Sequence, residues 1–580
     1  MTDNTIRQPL RRDCFEIMAP VGSWDSLAAA LKAGANSVYF GIEGLNMRNH
    51  SANNFTIDDL SSIAHLCRQS NVKSYLTLNT IIYDDDTELM RNIVDAVKQA
   101  GITAVIASDV AAMMYAVECD VEVHLSTQLN ISNVEALKFY ARFADVVVLA
   151  RELNLDQVYH IYRAIEEQQI RGRRGDLVKI EMFCHGALCM AVSGKCYLSL
   201  HEKNRSANRG SCNQICRRSY TVRDTSSDIE LEVDNQYIMS PKDLKTIHFL
   251  NKMIDAGVRV FKIEGRARGA EYVKNVVEAY DDAINAYIEG TFTEDKIAVW
   301  DTKLARVFNR GFWDGYYLGQ RLGEWTSVYG SSATRVKVYL GKCTNFFGKI
   351  GVAEFILESG ELRVGDEILV VGNTTGAYES VVEEIRVDLK PVESVGKGVP
   401  FSIKTTETLH RNDKLATLRG IMAEKGVTHF LVTALDDIAW VTNLRGNDVD
   451  FNPVFLAYLC ITPEKATLFV DTPQCDEAVK TYLKEQHIEL KDYKDYFQEL
   501  AKLQGETILL APDANQTIYN TVGQHNTLQI APSPVQLLKA VKNETEIEGF
   551  RKAMVKDGVA LVNFFYWLEN NIGKTPLTEH

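Results

Sequence analysis

Eight β-rich runs, most of them separated by stretches of helical character, occupy the first 290 residues and constrain the fold more than any other feature. They are FEIMAPV (15–21), SVYFGI (37–42), KSYLTLNTII (73–82), AVIAS (104–108), VEVHLST (121–127), DVVVLA (145–150), VKIEMFCH (178–185) and RVFKIEG (259–265). Most are continuous rather than alternating in apolar character, as expected of strands covered on both faces in a parallel sheet. Amphipathic stretches such as SWDSLAAALKAGA, TELMRNIVDAVKQAG and NVEALKFYARF separate them. Eight such units predict an α/β chain with a closed (β/α)8 TIM-like barrel. A doubly wound open sheet is the alternative, but no G-x-G-x-x-G follows the first strand.

Barrels of this class carry their chemistry at the C-terminal ends of the strands. The polar residues at those ends are Asn79, His124, Gln128, Arg151, Glu152, His185, Lys262, Glu264 and Arg266. Singly, each reads as a satisfied structural residue as readily as a functional one. Together they would line one mouth.

The last strand but one runs into a second feature. Five of the eleven cysteines, at 184, 189, 196, 212 and 216, fall within 36 residues. The amino terminus has no apolar run behind its charges, and no segment approaches the roughly 18 apolar residues of a membrane span. The expectation is a cytoplasmic protein without membrane contact, where clustered thiols mean metal or redox chemistry more often than disulfides. Cys189, Cys196, Cys212 and Cys216 follow C-x6-C-x15-C-x3-C. Only the second pair has the tight spacing usual at zinc; an iron–sulfur cluster on four thiolates, zinc and unliganded thiols all stay open. Cys184 lies on the strand, and the other six cysteines read as small buried hydrophobes. The net charge of −14 argues against indiscriminate nucleic-acid binding, yet residues 171–223 hold eleven Lys and Arg against three acidic residues, a net +8. Such a cluster is a solvated surface or a landing site for phosphates.

At 580 residues the chain is long for one core, and its character changes twice. Residues 1–330 comprise the barrel, with the cysteine insertion at 184–216. Residues 335–412 are short strands with Gly-rich turns, a small antiparallel β-barrel. Residues 414–540 return to strand–helix alternation as a separate α/β domain, and 541–580 are helical.

The stretch EMFCHGALCMAVSGKCYLS, with APVGSWDSLAAALKAGANSVYFG, STQLNISN and YIMSPKDLKTIHFLNKMIDAGVRVFKIEGRARGAEYV, resembles the collagenase-like peptidase family U32 over about residues 15–412. Within it the resemblance runs to the RNA hydroxylation proteins rather than to proteases. It implies prephenate-dependent 5-hydroxylation of the tRNA wobble uridine, with Cys189, Cys196 and Cys212 holding a 4Fe–4S cluster and Cys216 as fourth ligand (zinc being the alternative metal). Prephenate, a dianion, would need cations: Arg151, Lys262 and Arg266, with His124, Gln128 and Asn79 also facing substrate. His185, Glu264 and Arg266 become the catalytic candidates. The partners implied are tRNA and prephenate.

The rival within enzymes is proteolysis, for which the chain offers neither HExxH nor G-x-S-x-G. Its nearest approach is Cys184 beside His185, and adjacent strand residues point to opposite faces.

KLATLRGIMAEKGVTHFLVTALDDIAWVTNLRGND and KNETEIEGFRKAMVKDGVALVNFFYWLE resemble a third group, the creatinase-type Xaa-Pro aminopeptidases, over about residues 414–579. The first stretch corresponds to their second domain and the second to the start of their catalytic domain. Their metal ligands fall past residue 580, so this part is expected to be catalytically inactive, a packing or self-associating module or the product of a fusion. Val559, Leu561, Phe564, Phe565 and Trp567 would then form an apolar face favouring association.

Overall fold

The computed structural model describes residues 10–49, 54–221, 237–320, 323–347, 350–407, 414–486, 488–542 and 544–574. The chain divides into two compact units, Met1–Asn412 and Asp413–His580.

In the first unit the early runs become strands β1 (Glu16–Pro20), β2 (Ser37–Phe40), β3 (Lys73–Leu78), β4 (Ala104–Ala107), β5 (Glu122–Leu125), β6 (Val146–Val148) and β7 (Lys179–Gly186). A short β8 (Asp243–Lys245) precedes β9 (Val258–Ile263), and β10 (Phe312–Trp313) follows. β1 to β7 pair in order and in parallel, and β9 bridges β7 back to β1, so the sheet closes. This is the eight-stranded barrel expected from the sequence, and closure rules out the open sheet. β8 runs antiparallel to the end of β7, with His185 opposite Lys245, and β10 pairs beside β8.

The alternation of strand side chains explains two separate cores. Outward residues such as Ile17, Phe40, Leu76, Val105 and Val123 join helix residues such as Leu27, Ile93 and Val276 in one large apolar cluster. Inward residues Met18, Tyr39, Tyr75, Ala104, Ile106, Val146 and Val260 form a small inner cluster of their own. The helices start where short polar side chains satisfy their first amides: Asp109 accepts from Ala111, Asn133 from Ala136 and Asn154 from Gln157.

The cysteine insertion leaves the barrel at Gly186, whose φ is +102°. A Cβ there would lie 2.4 Å from the Glu264 carbonyl oxygen and 2.9 Å from the Tyr272 hydroxyl, so only glycine fits. Beyond it the insertion folds into a helix at Leu198–Lys203 and two 3-10 turns at Ala207–Arg209 and Ile215–Arg217.

Residues 341–404 build a five-stranded antiparallel sheet in the order Gly341–Phe347, Val352–Leu357, Pro400–Lys404, Ile385–Val387, Lys390–Val392, with two short ribbons closing over its core. It docks on the barrel helices Trp24–Lys32 and Ala270–Ile288. Ala377 packs against Ala29 and Ala270, Lys274 Nζ donates to Ala377 O (3.1 Å) and Lys32 Nζ donates to Thr375 O (2.8 Å).

The second unit is a six-stranded mixed sheet in the order Ile488–Asp492, Ala466–Val470, Ala457–Ile461, His429–Val432, Thr507–Leu510, Thr527–Ile530, with an apolar core on each face. Glu544–Asn571 then forms one 28-residue helix. Phe550, Met554, Val555, Val559, Val562, Phe565 and Trp567 along it are all half exposed or more. Among the described residues no helix is long and apolar enough to cross a membrane.

Candidate active site

Among its inward apolar residues the barrel lumen also carries paired charges, at positions that such barrels usually fill with branched aliphatics. At its N-terminal end Glu16 accepts from the Tyr75 hydroxyl (2.7 Å) and pairs with Lys73 (3.0 Å). Burial alone would raise the Glu16 carboxyl; Lys73, His124, Ser37 and Tyr75 together outweigh it and hold it below its ordinary range. Glu122 pairs with His124 Nε2 (3.1 Å) and Arg174 (2.6 Å), and His124 lies against the Tyr75 ring at 4.3 Å. Midway up, Lys262 Nζ donates to Glu181 Oε1 (2.8 Å), and both are almost fully buried.

Above this pair the mouth opens. Arg48 Nη2 donates to Glu264 Oε1 (2.8 Å), and the Tyr39 hydroxyl donates to Ile263 O (2.8 Å). Desolvation pushes the Glu264 carboxyl up, but Arg48, Arg266 and Arg151 hold it below the usual carboxylate range. Arg266 donates to Thr77 Oγ1 (2.9 Å) and Asn46 Oδ1 (3.2 Å), and burial lowers its guanidinium to about 10. Arg151 donates to Ser193 Oγ (2.8 Å) and lies 5.2 Å over the Phe183 ring.

The cysteine insertion is tied down over this mouth. Arg209 bonds Asp86 (2.5 Å) and Ile81 O (2.8 Å), while Arg217 donates to Pro241 O (2.6 Å), Leu188 O (2.6 Å) and Ser240 Oγ (3.0 Å). Gly210, at φ +82°, lets the loop approach residues 46–49: a Cβ there would lie 2.5 Å from Asn46 O. All four rim cysteines are free thiols. Burial first, and then Cys189, Cys212 and Cys196, raise the Cys216 thiol, so the four sulfurs share one electrostatic neighbourhood. Desolvation would also raise Cys189, but Arg151 and Arg48 outweigh it and hold this thiol below its ordinary range. Four soft, unpaired thiols match a metal–sulfur group in kind. Among the described residues no three His, Cys, Asp or Glu side chains stand close enough together to hold a metal ion, so the thiols are gathered at the rim without closing on one centre.

The structure sorts the residues expected at strand ends into three places. Asn79, Gln128, Arg151, Glu264 and Arg266 reach the mouth. Asn79 accepts from Met47 N (3.2 Å), and Gln128 accepts from the Ser126 hydroxyl. His124 and Lys262 sit deeper, buried in the lumen beside carboxylates, because their strand positions lie below the rim. His185 faces away from the mouth: it packs among Tyr272, Tyr280 and Phe312 outside the lumen, and burial with Lys245 lowers its imidazole to about 3. The register shift between Phe183 and His185 accounts for this turn outward.

The basic stretch is also split. Arg174 pairs with the first residue of β5 and Lys179 opens β7, so residues 171–179 lie at the opposite end of the barrel from the cysteines. Of the remainder, Arg209, Arg217 and Arg218 are engaged within the fold, and Arg223 lies outside the described residues. Arg48 escaped the sequence reading because it sits in the loop after β2 rather than at a strand end. Its only signal was the run of asparagines around it, NMRNHSANN.

A model of peptidase family U32 matches residues 22–327. A protein of Porphyromonas gingivalis named collagenase is 67% identical over 401 residues, covering 69% of this chain and 97% of the relative. The chain belongs to peptidase family U32. This U32 chain is also 30% identical over 378 residues to the tRNA hydroxylation protein P1 of Bacillus subtilis, across 64% of the chain and 86% of that protein. The family's relatives thus include enzymes of two kinds, RNA-hydroxylating and collagenase-like. A Creatinase/Prolidase N-terminal domain model matches residues 394–546. Xaa-Pro aminopeptidase 1 of Dictyostelium discoideum is 36% identical over 209 residues, 35% of this chain and 33% of the relative, so the chain spans about a third of that aminopeptidase.

Proposed function

We propose that this chain is an RNA-modifying enzyme that hydroxylates C5 of the tRNA wobble uridine in a prephenate-dependent reaction. The observation that carries this reading is the gathering of four free thiols and three arginines on one barrel mouth. A 4Fe–4S cluster, which when bound supplies one-electron chemistry, would require Cys189, Cys196, Cys212 and Cys216 to draw together, since among the described residues they do not close on one centre. Arg151 and Arg266 donate to neutral oxygens, and together with Arg48 they outnumber Glu264 at the mouth, so an anionic donor would meet a net positive opening. Arg48 keeps Glu264 ionised, so Glu264 is placed to accept a proton at the mouth rather than to give one. Arg266 orients Asn46 and Thr77 around the same opening.

Proteolysis is the second reading, favoured by the name of the Porphyromonas gingivalis relative. The residues give it little support. Burial pushes the Cys184 thiol well up and His185 down to about 3, so neither serves as nucleophile or base near neutrality. The Cys189 thiol is held below its ordinary range by arginines, which cannot take up its proton.

Nucleoside mass spectrometry of tRNA from a deletion strain tests the proposal. Loss of 5-hydroxyuridine derivatives, restored by the intact gene, is expected; an unchanged nucleoside profile overturns it. Anaerobic purification with iron and sulfide analysis tests the cluster separately, and zinc in place of iron would remove it.

A further inference from the structure

Outside the lumen, the loops that follow the last two strands of the closed barrel bring three arginines around one carboxylate. Arg217 lies in the insertion after β7, Arg268 in the loop after β9 and Arg310 in the turn before β10. All three act on Asp243, the first residue of β8, whose side chain is almost fully buried. We infer that Arg268 and Arg310 form a binding site for a phosphate group, with Arg217 adding a third positive charge. The site stands whether or not the proposed hydroxylation does.

The charges do not cancel. Arg310 Nη1 reaches Asp243 Oδ1 at 3.4 Å, a long contact for a charge-assisted pair. Arg217 donates to Ser240 Oγ, Pro241 O and Leu188 O, all neutral acceptors. Arg268 stacks on the Phe308 ring, its guanidinium carbon 3.5 Å from the centroid, and Arg310 approaches the same ring at 5.1 Å. Stacking fixes the plane of a guanidinium and leaves the N–H groups along its edge free for an anion. Among the described residues the Arg268 side chain donates to no acceptor. Glu264, the other carboxylate near it, is already paired with Arg48 (2.8 Å). Three guanidiniums thus share one carboxylate, which leaves a positive excess. Burial first, and then Arg310, lower the Arg268 guanidinium, as expected of a cation held among like charges and partly out of water. A bound anion would relieve that repulsion.

The backbone around the two arginines is set before any ligand arrives. Arg268 N donates to Gly265 O (2.8 Å), closing a turn, and the Arg268 carbonyl accepts from the Ser26 hydroxyl (3.4 Å). Beside Arg310, the buried Asn309 donates to Val307 O (3.0 Å) and accepts from Gly311 N (3.0 Å), while Asp243 N donates to Gly311 O (2.9 Å). Both side chains are partly exposed, so an anion reaches them from solvent. Phosphate matches the donors, since a guanidinium edge engages its oxygens in pairs, and its negative charge offsets the excess. Placement agrees: barrels of this class frequently bind phosphate with the loops after their seventh and eighth strands, and β7 and β9 are those strands here. A phosphorylated small molecule and an RNA backbone carry the same group.

Titration calorimetry of the full chain with inorganic phosphate, at constant ionic strength in chloride, tests the site. The parent is expected to bind phosphate saturably. Arg268→Met, which breaks no ion pair among the described residues, and Arg310→Met are each expected to weaken that binding by about 10- to 100-fold. Arg268→Lys keeps the charge without the planar fork and should fall between parent and Arg268→Met. Melting curves like that of the parent confirm that the variants fold. No saturable binding by the parent at millimolar phosphate, or parent-like binding by Arg268→Met, overturns the inference. Binding that survives Arg268→Met but falls with Arg151→Met places the anion at the mouth and overturns it as well. A labelled anticodon stem-loop RNA then separates the two sources, and either result keeps the site. RNA affinity that drops in Arg268→Met and under competition by phosphate assigns the site to a backbone phosphate. RNA affinity unchanged by Arg268→Met assigns it to a phosphorylated small molecule.

Discussion

The lumen of the N-terminal barrel and the last helix of the C-terminal unit break the same rule in opposite directions. Inside the barrel, Glu16, Glu122, Glu181, His124 and Lys262 are withdrawn from water where apolar side chains are the norm. On the helix Glu544–Asn571, Phe550, Val555, Phe565 and Trp567 stand in water where polar side chains are the norm. The buried charges are tolerated because each meets an opposite charge or a hydroxyl at bonding distance, and their geometry is fixed as a result. The exposed apolar side chains make only glancing ring contacts, Phe565 and Trp567 with Phe564 and Phe550 with Lys542, and stay half exposed or more. A buried polar group held by partners is the mark of a built site; an exposed apolar face is a surface still to be covered.

The lumen side of this contrast depends on pairing, which Lys262→Met tests most severely. Removing the ammonium leaves Glu181 buried with no counter-charge, and its Oε2 already lacks a hydrogen-bond partner. A loss of about 3–5 kcal/mol in denaturant unfolding is expected. Adding Glu181→Leu should return most of it; no recovery would mean that packing rather than charge sets the cost.

Acid should separate the barrel from an ordinary apolar core next. The folded-state imidazole of His185 lies at about 3, below its ordinary 6.5. The unfolded chain therefore takes up a proton that the folded chain refuses. Stability is full above pH 6.5 and falls as the pH drops toward 3, by about 3 kcal/mol at about pH 4. His185→Phe should flatten that slope between about pH 6.5 and 4 in acid titrations followed by circular dichroism; a slope equal to the parent's would place the acid sensitivity elsewhere.

Gly186→Ala comes third. With φ at +102° and the Glu264 carbonyl 2.4 Å from the added carbon, it should destabilise by roughly 1–3 kcal/mol in thermal unfolding. The smallest effect belongs to the helix. Phe565→Glu and Trp567→Lys should change stability by no more than about 0.5 kcal/mol while lowering binding of an apolar dye, since both side chains are half exposed and their ring contacts are with Phe564 of the same helix. A loss comparable to that of a core substitution would show that the helix face is already covered.

The strands were legible because continuous Val, Ile and Leu runs separated by amphipathic helices leave few alternatives, and all eight fall where the residues place them. The site was legible only at one remove. Asn79, Gln128, Arg151, Glu264 and Arg266 follow a strand end directly, and they reach the mouth. His185 follows the same logic and fails, since a register shift of one residue between Phe183 and His185 moves a side chain from one face of the sheet to the other. His124 and Lys262 fail differently: they point inward as expected but sit below the rim, and depth along a strand leaves no trace in residue type. The +8 stretch misled for a third reason, because β7 runs the full height of the barrel and carries its two basic halves to opposite ends.

By itself, the sequence determined the closed parallel barrel, the position of the cysteine insertion at the end of its seventh strand, and the change to a second α/β unit near residue 413. These follow from periodicity and from where glycine and polar residues interrupt it, which are local properties. Tertiary structure alone decided which charges share the lumen, that Arg48 answers Glu264, and that Arg217, Arg268 and Arg310 converge on Asp243. Each of those contacts joins residues far apart in the chain, and nothing in residue order encodes the direction in which a side chain finally points.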